Sequence, residues 1–270
     1  MTTFAVSTWS LHRTLGSYYL DTPADPRDGV AEARWGEPRL SLLELPDELR
    51  RRGYDTLQIC HFHLPSRDQS YLDELRSALA QAGIRLDAVL IDDGDLTHPT
   101  EADAHETWVG EWLDTATALG ADRARVIAGM ATPTPDRLSE SAQRLARLAA
   151  GHPGIRVVTE NWMDLLPSSV EVHELLQQTG EQVGLLLDLG NWRGATKYTH
   201  LASVSALAET CHAKCGFSAT GPDAEDFRHC LELLRAADYA GPLALIYDGP
   251  DDDEWAMLER EKEIVQSVFG

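Results

Sequence analysis

Short apolar runs alternate with amphipathic segments along the whole chain, and most of the runs end in polar residues. Eight runs have the length and composition of buried strands. They cover residues 4–9, 55–60, 85–91, 123–128, 155–160, 183–188, 205–212 and 242–247. Segments with apolar residues at helical spacing follow them, as in Leu72, Leu75 and Leu79 ahead of Gly83. These predicted helices lie near residues 46–52, 71–82, 105–119, 135–149, 169–178, 196–206, 223–237 and 254–268.

Eight strand–helix units of about 34 residues each predict a single (β/α)8 barrel domain over residues 1–270. No change of composition and no linker divides the chain. The alternative is a seven-stranded or partly open barrel, because the run at 205–212 is only weakly apolar. The connection over residues 16–40 is long and rich in Gly, Pro and charged residues. Loops of that length are more often functional than not, so we interpret it as a candidate lid.

The charge balance narrows the classes of partner. Lys and Arg number 23 against 44 Asp and Glu, which gives a formal net charge of −21. Such a surface repels phosphate backbones and anionic membranes, so we expect neither a nucleic-acid nor a membrane partner. No run approaches the roughly 20 apolar residues of a membrane span, and the first residues do not resemble a signal peptide. With four scattered cysteines, these features favour a cytoplasmic protein.

Three of the predicted strands end in residues that can bind a metal ion. The run at 155–160 ends in Glu160, the run at 183–188 in Asp188, and the run at 205–212 in His212. Parallel strands of a barrel place these ends on one rim, so the three side chains should converge. Two carboxylates and an imidazole suit a divalent metal. For each residue the alternative is an ordinary rim or capping residue.

Two cysteines flank the histidine of this set. Cys211 and Cys215 beside His212 invite the interpretation of a structural zinc site. One short segment lacks the second pair of ligands that such a site requires. We therefore predict that these cysteines are small buried apolar side chains.

Further polar residues follow the strand ends. Lys214 shares the strand face of His212 and could hold a substrate oxygen or stabilise an enolate, although an exposed rim lysine is the alternative. His61 and His63 share parity, and one of them could point into the cavity. The remaining polar candidates for substrate contacts are His12, Asp92, Asn161, Asn191 and Tyr247.

The tryptophans divide by context. Trp108 and Trp112 recur at helical spacing, which predicts packing of a helix against the barrel. Trp9, Trp162 and Trp192 follow strand ends and could form apolar walls against a sugar ring.

The order Glu160-Asn161, Asp188, His212-x-Lys214, with each motif at a strand end, resembles the xylose-isomerase-like TIM barrels. The histidines after the second strand add to this resemblance, which covers nearly the whole chain. The family includes sugar and sugar-phosphate isomerases and epimerases. The resemblance implies a divalent ion (Mn²⁺, Mg²⁺, Co²⁺ or Zn²⁺) bound by Glu160, Asp188 and His212. It also implies proton transfer beside a carbonyl by two glutamates, with the metal polarising the substrate oxygens.

The sequence departs from the family pattern at two positions. The second family glutamate, which is also the fourth metal ligand, falls on Ile246, and isoleucine can neither bind a metal nor move a proton. Asp248 lies two residues further on the same face and could substitute as ligand or acid/base. A further family histidine falls on Asn191. The candidate catalytic residues are therefore Glu160, Lys214 and Asp248.

These observations predict a metal-dependent isomerase or epimerase of a small sugar or keto-sugar, with or without a phosphate. The alternatives are a lyase or dehydratase of a related keto-sugar, and a barrel that only binds a sugar. DNA-repair endonucleases share this barrel, but the acidic charge disfavours the basic groove they need. Aromatic residues in the 16–40 loop could pack against another subunit, so a homo-oligomer is a candidate assembly.

Overall fold

The computed structural model describes residues 3–218 and 221–270. Within these residues, eight parallel strands close into one barrel in chain order. The circle closes where the first strand pairs with the last, with Phe4 opposite Leu243. This architecture confirms the (β/α)8 prediction, and the seven-stranded or open alternative is wrong. The strands are β1 (Phe4–Ser7), β2 (Thr56–Cys60), β3 (Arg85–Leu90), β4 (Arg123–Val126), β5 (Arg156–Glu160), β6 (Gly184–Asp188), β7 (Ala208–Lys214) and β8 (Leu243–Ile246).

Helices follow the strands and surround the barrel. Their inward faces carry the apolar residues that set the helical period, and Trp108 and Trp112 are buried there as predicted. The main helices are α1 (Leu45–Arg51), α2 (Gln69–Ala82), α3 (Ala102–Leu119), α4 (Pro135–Gly151), α5 (Ser169–Thr179), α6 (Lys197–Val204), α7 (Ala224–Ala236) and α8 (Glu254–Phe269).

Strand β7 begins later than its apolar run predicts. Ser205–Leu207 forms a short 3-10 turn, and pairing with β6 begins at Ala208, opposite Leu185. The buried side chains of Thr210 and His212 find polar partners from other strands. Because these inward positions are polar, the strand is difficult to locate in the sequence from its apolar residues alone.

The 16–40 connection is folded against the rim of the barrel. It contains an antiparallel pair formed by Ser17–Tyr19 and Ala31–Ala33, which the apolar pattern does not predict. Trp35 stacks on His12 with ring centroids 4.1 Å apart. Tyr18 stacks on Phe62 at 4.9 Å. The aromatic residues of the loop thus contact the rim of their own chain, and a lid function stays a prediction.

Two apolar layers position the functional end of the barrel. The larger layer lies between the strands and the helices. The smaller one lies inside the barrel and contains Cys60, Ala88, Leu90, Val158 and Leu186. Side chains alternate between the two layers along each strand. The next inward positions after Val158 and Leu186 are therefore Glu160 and Asp188, which lie above the smaller layer.

Candidate metal centre and active site

A cavity of ≈ 230 Å³ lies at the C-terminal ends of the barrel strands. This is the end at which (β/α)8 barrels carry their active sites. Its wall combines charged, amide, aromatic and aliphatic side chains. They are Trp9, Leu90, Asp92, Arg125, Glu160, Trp162, Asp188, Asn191, His212, Lys214, Ile246 and Asp248.

Glu160, Asp188 and His212 come together in this cavity. Their exposed fractions are 5%, 3% and 5%, and one potential ligand atom from each lies within 4.8 Å of the other two. Nδ1 of His212 is 3.5 Å from Oε1 of Glu160 and 3.6 Å from Oδ2 of Asp188. Two carboxylate oxygens and one imidazole nitrogen therefore face a common point. This donor set fits a divalent ion of the Mg²⁺, Mn²⁺, Co²⁺ or Zn²⁺ kind.

Neighbouring amides fix the two carboxylates. Asn161 bonds both main-chain groups of Asp188, donating to its carbonyl at 3.0 Å and accepting from its N–H at 2.7 Å. The N–H of Gly190 donates to Oδ1 of Asp188 at 2.6 Å, which leaves Oδ2 facing His212. Nδ2 of Asn191 donates to Oε1 of Glu160 at 2.8 Å. The two asparagines therefore orient metal-ligand candidates.

Arg125 is a functional candidate that the sequence interpretation missed. Its buried guanidinium pairs with Asp92, and its Nε lies 3.1 Å from Oε2 of Glu160. The indole of Trp162 covers the guanidinium at 4.9 Å. A basic residue inside the apolar run at 123–128 was the available signal, because an arginine in a buried strand needs charged partners.

The electrostatic environment of the centre is strongly negative. Burial lowers the pKa of His212, but the carboxylates of Glu160 and Asp188 outweigh burial and raise it to about 9. Burial raises the pKa of Asp188, and its contacts with His212 and Lys214 overcome that effect and lower it. Burial likewise raises the pKa of Asp92, while Arg125 and His61 hold it below its usual value. The carboxylates around His212 therefore favour its protonated form in the metal-free protein.

Lys214 and Asp248 form an ion pair across another part of the wall. Nζ of Lys214 lies 3.2 Å from Oδ2 of Asp248, and the two side chains are 21% and 51% exposed. Burial lowers the pKa of Lys214, but Asp188 and Asp248 outweigh it and raise the value. Asp248 is thus engaged with Lys214, and it is not among the clustered donors of Glu160, Asp188 and His212. Ile246 presents a hydrocarbon side chain to the same cavity.

The other predicted substrate contacts divide into two groups. Trp9, Asp92 and Asn191 line the cavity. The remaining six are not part of its wall: His12, His61, His63, Asn161, Trp192 and Tyr247.

The three histidines and Trp192 of this second group have polar partners of their own. His61 accepts from the N–H of Asp92 at 3.0 Å and therefore supports a residue of the wall. His12 and His63 approach each other at 3.3 Å between Nδ1 and Nε2. The indole of Trp192 donates to the carbonyl of Leu166.

A second group of three potential ligands, His98, Glu101 and His105, lies near the start of α3. Nδ1 of His98 accepts from the N–H of Glu101 at 3.0 Å, and Nδ1 of His105 accepts from the N–H of Asp95 at 2.8 Å. In a neutral ring the proton then lies on Nε2, so neither histidine keeps a nitrogen lone pair for a metal. The two histidines instead accept main-chain N–H groups of the segment around the start of α3.

Among the described residues, the cysteines that flank His212 do not join it in a group of potential metal ligands. Cys60, Cys211, Cys215 and Cys230 are free and buried. Their burial confirms the prediction that Cys211 and Cys215 are apolar packing residues. Among the described residues, no helix is long and apolar enough to cross a membrane.

The model of the xylose isomerase-like TIM barrel family matches residues 46–268 of this chain, and the chain belongs to that family. A comparison with curated proteins finds no significant match.

Solved structures share the fold at low sequence identity. A xylose isomerase-like TIM barrel protein from Mycobacterium smegmatis in complex with magnesium superposes with a TM-score of 0.71 at 16% identity, covering 99% of this chain and 97% of that one. A D-allulose 3-epimerase from Methylomonas sp. in complex with D-allulose gives 0.71 at 14%, covering 99% and 97%. A 3-keto-D-glucoside 4-epimerase from E. coli gives 0.66 at 16%, covering 84% and 94%.

Proposed function

We propose that this chain is a metal-dependent isomerase or epimerase of a small uncharged keto-sugar. The convergence of Glu160, Asp188 and His212 inside one cavity carries the proposal. The cavity of ≈ 230 Å³ suits a small ligand. Trp9 and Trp162 supply the aromatic faces on which a sugar ring can stack. The epimerases among the similar structures support the choice of reaction class.

The metal ligands in this proposal are Oε1 of Glu160, Oδ2 of Asp188 and Nδ1 of His212. A bound divalent ion would polarise the carbonyl and hydroxyl oxygens of the substrate and lower the cost of an enediolate. The residues around it orient the ligands, since Asn161 and Gly190 hold Asp188 and Asn191 holds Glu160.

The proton transfer in this proposal falls on Lys214 and Asp248. Glu160 is poorly placed as a base, because Oε1 accepts from Asn191 and Oε2 faces Arg125. The half-exposed carboxylate of Asp248 takes the proton from the carbon next to the carbonyl, and the electron pair delocalises onto the carbonyl oxygen. The ammonium group of Lys214 returns a proton to carbon. Return to the opposite face of the same carbon gives an epimer. Return to the former carbonyl carbon gives an isomer, with the proton of the neighbouring hydroxyl passing to the former carbonyl oxygen.

The charges of the wall favour an uncharged substrate over a sugar phosphate. Four carboxylates and two basic side chains line the cavity, and a divalent ion balances the difference. Both basic side chains are already paired, Arg125 with Asp92 and Glu160, and Lys214 with Asp248. A phosphate would bring further negative charge to a wall whose described arginine and lysine side chains are both engaged with carboxylates.

Solvent isotope exchange tests this proposal. Protein loaded with Mg²⁺ or Zn²⁺ is incubated in D₂O with a panel of ketoses and the matching ketose phosphates. We expect ¹H NMR to show loss of the C–H signal beside the carbonyl for an unphosphorylated ketose, together with the signals of its epimer or isomer. Exchange confined to the phosphates would overturn the assignment to uncharged substrates, and binding of a ketose without exchange would overturn the catalytic one.

Ile246 favours a second candidate, a sugar-binding barrel without catalysis. Its hydrocarbon side chain reaches the cavity and cannot move a proton. The variant Ile246→Glu separates the candidates. A large gain of exchange activity would identify a degenerate site that only binds, whereas loss of an existing activity would identify a site adapted to isoleucine.

A further inference from the structure

A network of buried, hydrogen-bonded polar side chains crosses the interior of the barrel beneath the proposed metal centre. It consists of Gln58 on β2, Asp87 on β3 and Thr210 on β7, and all three are fully buried. At its outer end Arg123 pairs with Asp87 at 2.6 Å. At its inner end Oε1 of Gln58 lies 2.9 Å from Nε2 of His212.

The hydrogen bonds of this network allow only one orientation of the Gln58 amide. Nε2 of Gln58 lies 2.8 Å from Oδ2 of Asp87 and 3.1 Å from Oγ1 of Thr210. Because the carboxylate of Asp87 only accepts, the NH₂ group must face it. Thr210 donates its own proton to Asp87 at 2.7 Å, so its oxygen is free to accept from Gln58. Turning the amide round would place the Gln58 oxygen against the Asp87 carboxylate.

This orientation determines which nitrogen of His212 faces the cavity with a lone pair. Oε1 of Gln58 can only accept, so Nε2 of His212 must carry a proton. In the neutral ring Nδ1 then has the lone pair, and Nδ1 is the atom that faces Glu160 and Asp188. Metal-binding histidines commonly have their second nitrogen fixed in this way.

We propose that Gln58 is a positioning residue that prepares His212 as a metal ligand, with Asp87 and Thr210 holding the amide in place. Gln58 reaches His212 on β7 from β2 through the interior of the barrel, and it does not line the cavity. The inference rests on the proposed function, because it concerns the metal centre of that same site.

The variant Gln58→Met tests the inference, because methionine has a similar length and cannot hold the imidazole N–H in this way. We expect the dissociation constant for Mg²⁺ or Zn²⁺, measured by titration calorimetry, to rise by about 10–100-fold. The control Gln69→Met changes a glutamine on α2 whose side chain donates to the half-exposed Asp73, and it should bind the ion like the wild type.

A rescue variant separates positioning from a general loss of structure. In the double variant Gln58→Glu/Asp87→Asn, the new carboxylate accepts from Nε2 of His212 and the new amide donates to that carboxylate. We expect the double variant to recover at least most of the metal affinity. Long-range ¹H–¹⁵N NMR of the neutral ring in metal-free protein should show the Nε2–H tautomer in the wild type and a mixture in Gln58→Met.

The outcomes distinguish the two proposals. A wild-type chain without affinity for any divalent ion would overturn the proposed function, and with it the metal role of Gln58. Strong binding by the wild type together with equal binding by Gln58→Met would overturn this inference alone. Failure of the double variant to recover affinity, although it is folded by circular dichroism, would also contradict it.

Discussion

Nε of Arg125 lies 3.1 Å from Oε2 of Glu160, and the guanidinium is buried between that carboxylate and Asp92. Burial lowers the pKa of the arginine, but the two acids outweigh it and raise the value, so the group stays charged. One oxygen of Glu160 therefore faces a fixed cation, and the other is left for the metal centre. Arg125 thus helps to define which oxygen of Glu160 can act as a ligand.

Removing Arg125 should destabilise the protein strongly. In Arg125→Met the carboxylates of Asp92 and Glu160 would remain buried without their cation. Breaking a buried ion pair in this way costs about 3–5 kcal/mol, which urea denaturation of the metal-free protein would measure.

The control for this prediction is Arg85→Met on the same sheet. Arg85 pairs with Asp122 at 3.4 Å, and both side chains are about half exposed. Exposed pairs contribute roughly 0–1 kcal/mol, so this variant should unfold almost like the wild type. An equal loss in the free energy of unfolding in the two variants would contradict the prediction that the buried ion pairs of Arg125 contribute more to stability than an exposed pair.

The stability of the metal-free protein should fall as the pH rises from about 6.5 to 9. His212 has a folded-state pKa of about 9, above its ordinary value of 6.5, because Glu160 and Asp188 outweigh the effect of burial. A raised pKa contributes stability that is fully present below 6.5 and is lost as the pH passes through 9. We expect the difference in free energy of unfolding between wild type and His212→Gln to shrink over this window. A constant difference would contradict the assignment.

Metal binding should release a proton and strengthen with pH. A ligand nitrogen must lose its proton first, and the pKa of His212 in the metal-free protein is about 9. The affinity should therefore rise about tenfold per pH unit below 9 and level off above it. Calorimetry at pH 7 in two buffers of different ionisation enthalpy should report about one proton per ion. Binding that is independent of pH would exclude Nδ1 of His212 as a ligand.

Lys214→Met and Asp248→Asn should impair exchange without removing the metal. Both residues lie in the cavity and outside the clustered donors. Loss of a general acid or base commonly costs about 10²–10⁴-fold in rate. The isotope-exchange assay gives the rate, and the metal content gives the control within each sample.

Lys262→Met is a matched control for Lys214→Met. Lys262 lies on α8 and donates to the carbonyl of Arg52, outside the cavity wall. The Lys262→Met variant should catalyse isotope exchange at the wild-type rate. If both Lys214→Met and Asp248→Asn exchange at the wild-type rate, these residues are not the acid and base, and Glu160 becomes the candidate for proton transfer.

The sequence was sufficient for the fold and for the metal-ligand candidates. Glu160 and Asp188 end strongly apolar strands, so the alternation of side chains places them at the rim of any parallel barrel. His212 lies within a less apolar strand, yet its pairing opposite Asp188 brings it to the same point. The family match confirms the resemblance that these residues suggested.

Other parts of the site depend on contacts between distant strands, which a local pattern does not contain. Arg125 is recognisable only once Asp92 and Glu160 are seen on either side of it. The role of Gln58 depends on Asp87 and Thr210, which come from two other strands. The paired strands of the 16–40 loop have few apolar residues, so their pattern resembled an irregular connection.

The metal content of the purified protein tests the central claim most directly. Protein prepared without chelators or an affinity tag, and supplied with Mn²⁺ or Zn²⁺, is analysed by mass spectrometry beside Asp188→Ala. We predict about one divalent ion per wild-type chain and its loss in the variant, because Oδ2 of Asp188 faces His212 at 3.6 Å. If the wild-type protein contains no metal after Mn²⁺ or Zn²⁺ has been added, or if Asp188→Ala retains its ion, the account is contradicted.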